Sequence, residues 1–434
     1  MMDVQSPRHA GRLQAVPGAY YSLPVAAGRR RALSTGWLIL GLISLILSGV
    51  FSVLLVLART PHVKDVFPLV DFFHVALVAH VDLSVLVWFL AFAGVFWSIN
   101  STPRWITLGW LALGLGGAGT VTMSVAPFIG RGEPVMSNYI PVLQDPVFLA
   151  GLMTFAAGFA LLTLRSMAAA PRIGTRIDGT GALRFGLNCS AVSAAVALIA
   201  FAWSYVALPV NLDGKAYYEL LFWGGGHVIQ FTYTLLMFVA WLWLASATGA
   251  RVPLTPRVAV LLFGVGLVSV FMTPVIYLAY DIGSVEHYRR FTWLMQFGGG
   301  LAALPFALAV TVAMAAARRP DPSARPLQAA LIASIILFGA GGIIGLLIHG
   351  SNVKIPAHYH GCIVGITLAF MGLTYHLLPQ MGLGEPMRRA AFWQPCVYGG
   401  GQLLHILGLT WSGGYGVQRK VAGAVQGLRS AEEV

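Results

Sequence analysis

Apolar residues run through the chain in long, nearly unbroken stretches, separated by short polar segments rich in Gly, Pro and Arg. The stretches cover roughly 36–58, 72–98, 105–128, 145–166, 183–207, 217–246, 257–280, 291–316, 327–349, 356–380 and 391–412. Each approaches or exceeds the ~20 residues that cross ~30 Å of hydrocarbon. A span in a bilayer must satisfy its own backbone hydrogen bonds, so it is a helix or part of a closed barrel, and runs of this length and apolarity are helices. The pattern predicts an all-α fold: a polytopic membrane helix bundle with about 11 transmembrane helices. A basic tail occupies residues 1–33, one membrane domain 34–414, and an outer segment 415–434.

Composition sharpens this picture. The chain is 57% hydrophobic and only 10% charged, against about 25% charged residues in a soluble domain. A net charge of +12 would suit nucleic acid, but its distribution speaks for topology and against a nucleic-acid partner. Of the 27 basic residues, 17 fall in the N-terminal tail and alternate loops: Arg8, Arg12, Arg29–Arg31, Arg104, those from Arg165 to Arg184, Arg251, Arg257, those from Arg318 to Arg325, Arg388 and Arg389. The positive-inside rule then places the N-terminus in the cytoplasm of a bacterial-type inner membrane, and an odd number of spans places the C-terminus outside. The tail lacks the apolar core and cleavage site of a signal peptide, so the first span is expected to stay in the membrane. Cys189, Cys362 and Cys396 form no CxxC. No internal repeat and no Walker-type phosphate loop is visible.

Ionisable side chains inside a membrane are costly and are functional candidates by default, although any one histidine can simply bridge two helices. Four separated segments bring histidines to the outer half of the bilayer. His80 lies two to three turns down the second span, and His227 lies at a similar depth in the sixth, behind Gly224-Gly225-Gly226. Three glycines in a row allow close approach of a flat group or another helix. Glu286-His287-Tyr288 stands at the outer junction of spans seven and eight, and His358-Tyr359-His360 opens span ten. His358 and His360 stand about 200° apart on a helix of 3.6 residues per turn, so they point to opposite sides. One helix can then ligate two different metal centres, whereas a di-histidine site for one ion would use spacing of three or four.

These residues resemble subunit I of the haem-copper oxidase superfamily over about residues 36–420. Phe370-Met-Gly-Leu-Thr-Tyr-His376-Leu-Leu-Pro and Gly413-Gly-Tyr-Gly-Val-Gln-Arg419-Lys420 extend the likeness. The resemblance implies a low-spin haem between His80 and His360, a high-spin haem on His358, and a non-haem metal on His227 and His287. Both haems would be b-type. Arg419 and Lys420 would face haem propionates. His62, His74, His349, His376 and His405 are expected to be structural. The family's twelve spans exceed the eleven found here by one, and no expected ligand lies in the twelfth.

Two departures bear on the reaction. The family's His-His pair reads Glu286-His287 here. Two imidazoles and one carboxylate resemble the facial triad of non-haem iron, whereas copper is better served by three imidazoles. The nitric oxide reductases of this superfamily use iron and a nearby carboxylate, so Glu286 favours reduction of NO to nitrous oxide. A salt bridge from Glu286 to Arg289 or Arg290 is the plainer reading of that residue. Oxygen reductases use a tyrosine cross-linked to a ligand histidine. Its commonest place, one turn past the sixth-span histidine, is Phe231 here. Tyr280, six residues before Glu286, is the candidate in its stead, with Tyr233 and Tyr277 behind it, and oxygen reduction stays open. Inner-loop carboxylates beyond the tail are only Asp178, Asp321 and Glu385, which suits protons taken from outside. With no C-x-x-C-H and no soluble electron-carrying domain, the chain implies a c-type cytochrome or cupredoxin-like donor subunit besides membrane lipid.

Overall fold

A computed structural model describes residues 18–60, 72–130, 132–175, 177–317 and 321–417. Arg419, Lys420 and His62 lie outside them. Among the described residues, eleven long helices carry the fold: α1 (Arg29–Arg59), α2 (Phe72–Ile99), α3 (Ile106–Ile129), α4 (Pro146–Ala168), α5 (Gly179–Ala207), α6 (Gly214–Ala247), α7 (Pro256–Ala279), α8 (Val285–Ala316), α9 (Arg325–Leu346), α10 (Lys354–Gln380) and α11 (Arg388–Gly414). Among the described residues, ten of these, α1 to α10, are long and apolar enough to cross a membrane. The eleventh predicted span is also a helix of 27 residues. Gln394, Gln402, His405 and the run Gly399–Gly401 lower its hydropathy. A two-stranded hairpin, β1 (Pro134–Val135) with β2 (Val142–Leu143), closes the loop between α3 and α4.

Several helix starts are written locally. The Asp145 carboxylate accepts from Val147 N–H at 2.9 Å and Phe148 N–H at 3.2 Å, with Pro146 at the first helical position of α4. Asp178 caps α5 through Gly181 N–H at 2.7 Å. Such caps fill N–H groups that the helix itself leaves unpaired. Ser284 caps α8 by accepting from His287 N–H at 3.1 Å. That cap starts α8 six residues before the predicted span, and places Glu286 and His287 in its first turn rather than in a junction loop.

Burial sorts the helices. Within the most apolar stretch of each, α6 is 89% buried and α2 and α10 are 72% buried, whereas α1 is 28% and α8 is 22% buried. The three innermost helices are therefore those that carry His80, His227, His358 and His360. Aromatic rings join them: Phe92 of α2 stacks on Phe370 of α10 at 4.2 Å and 4°, and Phe89 of α2 meets Tyr233 of α6 at 4.8 Å. Apolar side chains gain little by leaving lipid for protein, so close packing and polar contacts must hold the bundle. Gly341 of α9 and Gly361 of α10 let two backbones touch: a Cβ on Gly361 would lie 2.7 Å from the Gly341 Cα. Outward positions such as Ile46, Val56, Leu261 and Leu404 expose bare aliphatic surface, as a lipid-facing rim does.

The helices are not uniform. α2 passes through a π turn at Asp82–Val87, directly after His80, and α8 through another at Leu294–Gly298. Single π turns inside α-helices concentrate at functional sites.

Candidate functional site

The ring orientations of the candidate histidines follow from which partner each Nδ1 has. His358 Nδ1 lies 2.7 Å from the Gly341 carbonyl of α9, and His360 Nδ1 lies 2.8 Å from the Pro356 carbonyl one turn back on α10. His80 Nδ1 lies 3.0 Å from the Ser48 carbonyl of α1, with the hydroxyls of Ser48 and Ser52 at 2.9 and 3.0 Å. His227 Nδ1 lies 2.7 Å from the Trp223 carbonyl. A carbonyl oxygen can only accept, so each of these rings carries its proton on Nδ1 and its lone pair on Nε2. The same arrangement fixes metal-ligating histidines generally, where the remaining N–H is held by a carbonyl or carboxylate.

His358 and His360 do face different neighbours. His358 is tied to α9, and a Cβ on Gly345 would lie 2.6 Å from its Nδ1. His360 packs edge-on against His405 of α11 at 5.0 Å, and is within electrostatic reach of His80. On His80, His358 and His360 the Nε2 atom makes no hydrogen bond among the described residues. Three anchored imidazoles with free Nε2 lone pairs fit axial ligands of haem iron.

The second cluster lies between α6, α7, α8 and the hairpin. His287 is buried, and neither ring nitrogen makes a well-formed hydrogen bond among the described residues. A buried imidazole without partners is unfavourable unless something else fills its lone pair. It shares the ring of Phe291 with His227, at 5.0 and 5.9 Å. An orphaned His287 beside a buried His227 fits a metal ligand pair. Glu286 is not brought into this pair: it is exposed. Tyr280 is half-buried with the Arg290 guanidinium 5.5 Å from its ring. Of the tyrosines weighed from the sequence, Tyr277 is the one whose ring packs on His287. Its ring is 5.0 Å from that of His287, and its hydroxyl donates to the Ala200 carbonyl at 3.0 Å and lies 2.7 Å from Ser204 Oγ.

The three glycines before His227 each admit a different aromatic ring. A Cβ would lie 2.1 Å from Tyr277 Oη at Gly224, 2.4 Å from Phe201 at Gly225 and 2.2 Å from Tyr139 at Gly226. Tyr139 comes from the tip of the hairpin, and its hydroxyl is 2.9 Å from His227 Nε2. Sequence reasoning misses Tyr139, because nothing in a short outer loop announces that it folds back onto span six. It also passes over Asp82, two residues after His80. Asp82 is 1% exposed, and both of its carboxylate oxygens lack a partner among the described residues. That carboxylate was legible in the sequence as a charged residue within a span.

Of the remaining histidines, His376 packs near Trp243 at 5.9 Å, His74 near Phe73 at 5.3 Å, and the His349 carbonyl accepts from Asn352.

The model of the cytochrome c and quinol oxidase polypeptide I family matches residues 32–433. The chain belongs to that family. As a subunit I of the haem-copper oxidase superfamily it is a multi-pass membrane oxidoreductase of a class that binds haems and a metal centre. It is similar to an uncharacterized protein of Rickettsia prowazekii, with 27% identity across 90% of this chain and 88% of the relative. It is also similar to an uncharacterized protein of Aquifex aeolicus, with 28% identity across 81% of this chain and 86% of the relative.

Proposed function

We propose that this chain is the catalytic subunit of a respiratory nitric oxide reductase. His80 and His360 hold a low-spin haem, His358 holds a high-spin haem, and His227 with His287 holds a non-haem iron, both haems being b-type. The observation that carries the reading is the common anchoring of four imidazoles through Nδ1, three of them with an unfilled Nε2. When bound, the haems and the metal supply the electron transfer and the redox chemistry at NO.

The protein's own part is to orient and to exclude. The carbonyls of Ser48, Pro356, Gly341 and Trp223 fix the imidazole planes before any cofactor arrives, so little reorganisation is needed on binding. Apolar rings around His227 and His287, among them Phe291 and Trp223, keep water from the pair. Two imidazoles completed by an oxygen donor favour iron, whereas copper is better served by three imidazoles. Glu286, at the exposed start of α8, is the carboxylate from which protons enter from the outer side. Electrons enter from the same side, from a c-type cytochrome or cupredoxin-like subunit. The N-terminus then lies in the cytoplasm of the inner membrane.

Oxygen reduction, with copper in place of iron, is the second reading. It is favoured by Tyr277, whose buried ring at His287 could serve as an electron-donating tyrosine. Metal analysis of the purified complex separates the two. We expect iron to exceed haem by one atom per two haems. One copper per two haems would overturn NO reduction in favour of oxygen reduction, and an optical spectrum without haem bands would sink both.

A further inference from the structure

We propose that Tyr139 is a protein ligand of the non-haem metal, completing a set of two imidazoles and one phenolate with His227 and His287. The inference rests on the reading of His227 and His287 as a metal pair. It supplies the oxygen donor that an exposed Glu286 leaves missing.

One proton joins Tyr139 to His227. His227 Nδ1 gives its hydrogen to the Trp223 carbonyl at 2.7 Å, so Nε2 is an acceptor. The Tyr139 hydroxyl, 2.9 Å away, is the donor. A proton thus sits between a phenol oxygen and an imidazole nitrogen, both of them good ligands for iron. A divalent ion can take its place: the ion bonds to Oη and Nε2, the O–H bond breaks, and one proton leaves to solvent, with no change of oxidation state. The spacing suits the exchange. Two bonds of about 2.0–2.1 Å to one ion, with their donor atoms 2.9 Å apart, subtend roughly 90°, an ordinary angle between neighbouring ligands.

Tyr139 is held in this place by its own loop. Strands β1 and β2 pair Pro134 with Leu143 and Val135 with Val142. Ser137 Oγ donates to the Ile140 carbonyl within the tip. Asn138 donates to Glu219 Oε2 at 2.6 Å, two turns above His227 on the same helix. The absent side chain at Gly226 leaves the space that the Tyr139 ring occupies. Two neighbouring loop residues are therefore fixed to α6, and the second of them ends on the atom that would bind the metal.

The test uses the intact purified complex. In the air-oxidised enzyme, resonance Raman excitation into a phenolate-to-metal charge-transfer band should give tyrosinate vibrations that shift on ring-deuterated tyrosine labelling. This measurement needs no variant. In Tyr139→Phe those vibrations should vanish, and resistance of the non-haem metal to a chelator should fall at least about tenfold, with both haem spectra retained. Metal loss in Tyr139→Phe without tyrosinate vibrations in the unaltered enzyme would overturn ligation and leave Tyr139 a positioning residue. Unchanged metal in Tyr139→Phe, with loss in His227→Ala, would overturn the Tyr139 assignment while the centre itself stands. Unchanged metal in His227→Ala as well would bring down the underlying reading of the pair.

Discussion

The pocket around His80 and His360 and the pocket around His227 and His287 are assembled in different ways. On the first side every anchor is a backbone carbonyl or a serine carried on a helix, and the Nε2 atoms make no hydrogen bond among the described residues. On the second side one Nε2 is already occupied by a phenol from a loop, and the other imidazole makes no well-formed hydrogen bond among the described residues. The first site is thus built by helix packing alone. The second needs a connection between α3 and α4 to close over it. On the proposed assignments, a bundle with only its helices in place would form the low-spin haem site and leave the non-haem site incomplete.

The largest effects should come from deleting one imidazole on each side. His360→Ala is expected to remove the low-spin haem, lowering haem content from two to one per chain, with turnover falling to below about one-thousandth. His227→Ala is expected to lower turnover as far while both haems stay and only the non-haem metal is lost. Haem content by pyridine haemochrome and metal content by elemental analysis read the two independently. Loss of both haems in His227→Ala would mean that the two pockets form together, and would break the contrast.

This contrast also explains what could be read from the sequence. The helices were legible because hydropathy needs no tertiary information, and the H-x-H at His358 and His360 because 3.6 residues per turn fixes their divergence. The start of α8 was not. The cap at Ser284 competes with the hydropathy pattern, which falls away through Glu286, Arg289 and Arg290. The glycines before His227 were visible, but not their purpose. They admit Phe201, Tyr277 and Tyr139 from three other segments, and no local pattern encodes contacts of that kind. Family resemblance and sequence position point to Tyr280 rather than Tyr277. Once α7 is built, Tyr277 faces inward against Ala200 and Ser204, while Tyr280 closes the helix in extended conformation.

An intermediate effect should follow from Gly226→Ala. Its Cβ would stand 2.2 Å from the Tyr139 ring, so the ring must leave or the hairpin must shift. Overpacking of this kind costs about 1–3 kcal/mol, which thermal unfolding in detergent would register. Retention of the non-haem metal should weaken while the low-spin haem spectrum stays unchanged. An altered low-spin spectrum would show that the hairpin supports both pockets.

The smallest effect should come from the double substitution Ser48→Ala, Ser52→Ala on the low-spin side. It removes two hydroxyls from the neighbourhood of His80 Nδ1, at 2.9 and 3.0 Å, but leaves the Ser48 carbonyl at 3.0 Å. The His80 carbonyl also loses the Ser48 hydroxyl as a donor, yet keeps that of Ser84 at 2.7 Å. Removing a support of a metal-ligating histidine commonly weakens binding about 10–100-fold. Here the carbonyl alone still fixes the Nδ1–H form, so low-spin haem retention should fall about tenfold at most, with the non-haem metal unaffected. A hundredfold loss would show that the serines, rather than the backbone, orient the ring. The low-spin pocket would then depend on side chains as much as its counterpart depends on Tyr139.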